Sequence, residues 1–87
     1  MAMKKIDFIV IAQEYQKEDA NALEEEIEKE LARRMRRYTI GDPISVKIPS
    51  LPSIAVQDEI QRRYKEAGWE KLEFNEMTEG EAWLTLN

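Results

Sequence analysis

Residues 53–69, SIAVQDEIQRRYKEAGW, constrain the fold more than any other stretch. Val56, Ile60, Tyr64 and Ala67 succeed one another at spacings of four, four and three, the period of a helix with one apolar face. Gly68 supplies the left-handed residue that ends many helices. Trp69 stands where a hydrophobic cap contact is expected. A β-like run precedes this helix and two follow it. In ISVKI, Ile44, Val46 and Ile48 point inward and Ser45 and Lys47 outward. Pro49 and Pro52 close that strand. Residues 69–74 alternate with Leu72 and Phe74 inward, and residues 75–80 read as a hairpin loop. In residues 81–86, Ala82, Leu84 and Leu86 point inward, Trp83 and Thr85 outward. The result is a β-α-β-β unit. Its crossover should be right-handed if the flanking strands are parallel, and the last two strands should pair as an antiparallel hairpin.

From residue 6 to residue 38 there is no glycine or proline. Within that span, IDFIVIAQEY admits two readings. As a strand, Ile6, Ile9, Val10 and Ile11 make a continuous β-branched run. As a helix, Phe8, Ile11, Ala12 and Tyr15 share one face. The residues that follow, QEYQKED, form helices well and turns poorly, which favours helix. A break is expected at residues 19–21, because Asn21 and Glu24 have the spacing of a helix cap and its acid. A second helix then covers residues 21–38, with Leu23, Ile27, Leu31 and Met35 every fourth residue and Tyr38 three later. Glu25–Lys29 and Glu30–Arg34 are favourable pairs one turn apart. TIGDP, residues 39–43, is a turn. The expected fold class is α+β: N-terminal helices, then the β-α-β-β unit, in one domain spanning residues 1–87. The sheet has three strands, or four if residues 6–11 join it, with helices packed on it.

With 87 residues, only one modest core can form. The chain has no cysteine, which removes disulfides, thiolate metal sites and thiol nucleophiles. It has no histidine, which removes the Ser-His and Cys-His nucleophile arrangements and the commonest zinc ligand. Gly41, Gly68 and Gly80 are the only glycines, so no phosphate-cradling loop is expected. Ser45, Ser50 and Ser53 lack the lysine spacing of a Ser-Lys pair. The glutamates of residues 24–30 could in principle hold a divalent ion, but an acidic first half is what a solvated helix face requires. No enzyme, cofactor or metal site is therefore expected. The apolar run of residues 8–12 is too short to span a membrane and has no cleavage site nearby, so the chain reads as cytoplasmic and membrane-free.

Three groups of residues are candidates for binding. Arg33, Arg34, Arg36 and Arg37 could grip phosphate or an acidic partner, with Arg62, Arg63 and Lys65 as a second basic group. The ordinary alternative is that they complement a helix C-terminus and the glutamates a turn earlier. The net charge of −5 also speaks against a general nucleic-acid binder. Trp83, with Thr85, Lys47 and Lys71 beside it on the outer sheet face, could anchor a protein partner, unless the N-terminal segment covers that face. The Leu23, Ile27, Leu31 and Met35 stripe could pack on a second copy instead of its own sheet, because an unstapled domain this small often gains stability by oligomerising.

The order of elements, with Val46 and Ile48 before the helix, the Tyr64, Gly68, Trp69 junction after it, and Trp83 near the end, resembles small uncharacterised proteins encoded by bacteriophages. The resemblance covers about residues 21–86. It implies no shared catalytic motif. It implies a small accessory, virion-associated or host-targeting protein that acts by binding. The expected function is thus non-enzymatic binding through protein–protein contacts, with homo-oligomer formation. The alternative is a nucleic-acid-associated protein using the arginines of residues 33–37.

Overall fold

Nothing between residues 6 and 38 stops a helix, and one long helix forms there. The computed structural model describes residues 2–78 and 80–87. Helix α1 occupies Lys5–Arg34 without interruption, and a 3-10 turn follows at Met35–Arg37. The helical reading of residues 6–12 holds, so these residues add no fourth strand. The break expected at residues 19–21 is absent. Asp19 and Asn21 disfavour a helix interior by only about 0.5 kcal/mol each. Ala20 between them is fully buried, so packing carries the helix through. The fold therefore opens with one helix where two were expected.

The turn after α1 forms at Thr39 to Asp42, where the Asp42 amide donates to the Thr39 carbonyl at 3.0 Å. Strand β1 is Ile44–Ile48, helix α2 is Ile54–Glu66, β2 is Leu72–Thr78 and β3 is Glu81–Leu86. Thr78 pairs with Glu81, so most of the expected 75–80 loop is strand, with a register irregularity between Glu76 and Thr78. Residue 79 lies outside the described residues.

The sheet order is β1-β3-β2, with both pairings antiparallel. β1 and β2 therefore run parallel but do not touch, because β3 lies between them. The β-α-β unit is split. The hairpin expectation for the last two strands is met. Lys71 and Asn87 exchange backbone bonds at 3.0 and 2.9 Å and close one end of the sheet.

Helix α2 starts at Ser53, whose hydroxyl accepts from the Val56 amide at 3.4 Å. It ends as its sequence announces. Gly68 adopts φ +102°, the Trp69 amide donates to the Tyr64 carbonyl at 3.0 Å, and the Gly68 amide donates to Lys65 at 3.1 Å. This paired return of bonds is the Schellman ending. Trp69 then packs on the core margin, as Leu23 and Phe74 do at other points of it. The core is built from Ile27 and Leu31 of α1, Val56, Ile60 and Tyr64 of α2, and the inward strand residues Val46, Ile48, Leu72, Leu84 and Leu86. Both helices lie on this one sheet face. The two helices are also tied by polar contacts. The Tyr64 hydroxyl donates to Glu28 at 2.9 Å, and Arg63 donates to Asn21 at 2.9 Å and lies 3.6 Å from Glu24.

Candidate functional site

At about 1.5 Å per residue, α1 is roughly 45 Å long, within a molecule whose longest axis is 56 Å. Only its second half is docked. The core stripe begins at Ala20 and continues through Leu23, Ile27 and Leu31. Gln13, Gln16 and Lys17 still border Ala55, Glu59 and Arg62 of α2 across a groove, and towards the N-terminus from there the helix projects as an arm. Along that arm Ile6 is 64% exposed, Phe8 62%, Val10 48%, Ile11 42% and Tyr15 64%. Ile9 is also exposed. On a helix these side chains point in all directions. Ile9, with Ile6 near it, continues the side that meets the core farther along, Ile11 and Tyr15 face away from it, and Phe8 and Val10 occupy the two flanks. A helix that is apolar all round is normally buried. The arm also has no side-chain cap at Lys4.

The self-association stripe divides. Ile27 and Leu31 are buried in the chain's own core and Leu23 packs on its margin, so these three are not open to a second copy. Met35 is 72% exposed in the 3-10 turn. It borders, with Leu31, Tyr38, Ile44 and Trp69, an open groove of about 360 Å³.

The arginines also divide. Arg33 bonds Glu30 at 2.8 Å and Arg34 lies 3.9 Å from the same carboxylate. Arg36 and Arg37 are exposed on the 3-10 turn, and among the described residues neither has an ion pair. In the second basic group Arg62 and Arg63 are occupied, whereas Lys65 is exposed and has no ion pair among the described residues. Arg62 bridges Glu59 and Glu66 at 2.6 and 3.0 Å, and Arg63 is held by Glu59, Glu24 and Asn21. The bonds from Arg62 hold the Glu59 carboxyl below the usual carboxylate range.

The outer sheet face is as the strand alternation predicts. Lys47, Trp83 and Asn75 stand in one row across the three strands, and Ser45, Thr85 and Glu73 in the next. The helices lie on the other face, so α1 does not cover Trp83. Trp83 is nonetheless only half-exposed, flanked by its cross-strand neighbours. Lys47 pairs with Glu81 at 3.6 Å, and Lys71 with Glu73 at 3.2 Å. This face is largely polar and its charges are matched.

Four of the five glutamates of residues 24–30 are likewise engaged, Glu25 being without an ion pair among the described residues. Glu24 meets Arg63, Glu26 lies 3.5 Å from Lys29, Glu28 accepts from Tyr64, and Glu30 meets Arg33 and Arg34. Lys29 thus pairs one turn back with Glu26, not with Glu25. Burial, together with the bond to Glu28, pushes the Tyr64 phenol well above its ordinary value. Among the described residues no three carboxylates gather as a metal site would require, and no helix is long and apolar enough to cross a membrane.

The largest uncompensated surface is therefore the arm, which the candidate residues did not include. Its signal was present in the sequence: the run from Ile6 to Ala12 is too apolar on every side for a solvated helix. A comparison of the chain with models of known families, with curated proteins and with solved structures found no match in any of the three.

Proposed function

We propose that this chain is a non-enzymatic binding protein that acts through protein–protein contact, with the arm of α1 as the contact element and the α+β body as its base. The observation that carries this reading is the exposure of Ile6, Phe8, Ile9, Val10, Ile11 and Tyr15 on a segment outside the core. Fully burying one such side chain is worth about 1.5–3 kcal/mol, so covering the arm supplies a large driving force for association. A free arm is also a poor helix on its own. It is short, rich in β-branched residues and uncapped, and isolated helices under about 15 residues are marginal in water. A partner would therefore both bury the arm and order it. The resemblance to phage-encoded accessory or host-targeting proteins agrees with a role in binding.

The test is a photo-crosslinking residue placed singly at Phe8, at Trp83 and at Arg36 in living cells. Protein adducts from position 8 support the reading. Adducts from position 83 with none from position 8 would move the contact to the outer sheet face.

A second reading rests on Arg36 and Arg37, which are exposed and lack ion pairs among the described residues. Two free arginines on one turn suit phosphate. In that case, salt-sensitive retention on heparin would be lost on changing both to Glu, and position 36 would crosslink to nucleic acid.

A further inference from the structure

The outer face of the arm carries a spacing of its own. Lys4, Phe8, Ile11, Tyr15, Glu18 and Ala22 succeed one another at steps of four, three, four, three and four. That alternation is the seam of a coiled coil. At about 100° per residue, the part of this line from Lys4 to Glu18 lies away from the side of α1 that carries Ala20, Leu23, Ile27 and Leu31, whereas Ala22 already borders a groove against Ile48 and Val56 of the body. All six residues are exposed. The middle of the seam is aromatic and aliphatic. One end carries Lys4 and Lys5 with Asp7 on the flank and is net basic; the other carries Glu14, Glu18 and Asp19 with Lys17 close by and is net acidic. Among the described residues, Lys4, Lys5, Glu18 and Asp19 have no ion pair within the chain.

Building on the contact reading above, we propose that the arm's partner is a second copy of this chain, and that two arms pair antiparallel along this seam about a two-fold axis beside Ile11. In that arrangement Phe8 of each copy packs on Tyr15 of the other, Ile11 meets its own equivalent, and Lys4 lies beside Glu18. A parallel pair would instead stack Lys4 on Lys4 and Glu18 on Glu18. The seam's two ends are complementary to each other, which is the condition for a closed two-fold contact between identical surfaces. The acidic end of each arm also reaches the uncapped start of its partner, where a helix favours negative charge. The overlap, residues 4 to 18, extends about 21 Å at 1.5 Å per residue.

The chain has no native cysteine, which makes the geometry directly readable. Three full-length variants suffice: Ile11→Cys, Lys4→Cys and Glu18→Cys, oxidised and run on a non-reducing gel. The expected result is a disulfide-linked dimer from Ile11→Cys alone, none from Lys4→Cys or Glu18→Cys alone, and a dimer when those two are mixed. The unmodified protein should show by light scattering a mass that rises with concentration from 10.2 kDa towards twice that value. Phe8→Glu should hold it at the monomer mass while the fluorescence of Trp69 and Trp83 reports an intact body. Dimers from Lys4→Cys and Glu18→Cys separately, with none from the mixture, would overturn the antiparallel arrangement. A monomer at all concentrations up to about 1 mM, with no crosslinking, would overturn self-pairing altogether. Position-8 adducts to a different protein in cells would then still sustain the contact reading.

Discussion

The two halves of α1 are one helix by backbone and two different objects by chemistry. From Ala20 onward, apolar residues recur on one side only, and that side enters the core. The opposite side carries charge, and most of that charge is paired with neighbours on α1 or α2. Before Ala20, apolar residues occupy every side between residues 8 and 12, where there is no charge at all, and charged residues return from Glu14. The docked half is stable because its own chain satisfies it. The arm is helical without being satisfied, and that imbalance is why we propose it as the contact element.

This contrast can be broken most directly at Ile27, which is fully buried. Ile27→Ala should cost about 3 kcal/mol, and the melting temperature should fall by more than about 10 °C in calorimetry. Next in size is Tyr64→Phe, which deletes the hydroxyl that ties α2 to Glu28 and should cost about 1.5 kcal/mol. It also has a pH signature. The folded phenol titrates above its unfolded value near 10, so the contribution is fully present below about pH 10 and is lost as pH rises beyond it. Melting temperatures measured up to pH 11 should fall more steeply for the parent than for Tyr64→Phe.

Gly68→Ala ranks third, at about 1 kcal/mol. The added methyl meets nothing within 4 Å, so the cost is the left-handed backbone alone. The smallest effect belongs to the arm. In dilute, monomeric protein, Ile11→Ala should change the melting temperature of the body by an amount equivalent to under about 0.5 kcal/mol. Amides of residues 6–14 should then exchange with solvent much faster than those around Ile27. If exchange were equally slow in both halves of the monomer, the division of α1 would be wrong.

Much of the body was legible in the chain. Helix α2 announces itself through a single apolar face and the Gly68–Trp69 ending, both local signals. The three strands are legible because ISVKI and EAWLTL alternate cleanly, and a two-residue period leaves little choice of face. Strand adjacency was not legible, because nothing local to β1 says that its neighbour is β3 and not β2. The false break at residues 19–21 has a similar cause. Asn21 and Glu24 look the same at a helix start as they do inside a helix, and only the burial of Ala20 decides between them. The candidate stripe from Leu23 to Met35 was correctly seen as apolar, but a helical period does not say whether its neighbour is the same chain or another. The arm was visible as an apolar run. Its exposure was not, since that depends on where the body ends.

The strand order has a consequence for how the chain comes together. Because β3 lies between β1 and β2, the segment made first has no sheet partner until the segment made after both others exists. Residues 44–48 thus spend part of synthesis as an apolar strand with both edges unpaired, and their stable pairing is long-range by necessity. Until β3 arrives, the helices can meet each other but not a finished sheet. The vulnerable interval for misassociation is therefore built into the order of the strands, and a substitution in β3 that slows its docking would lower yield even where the final stability is unchanged.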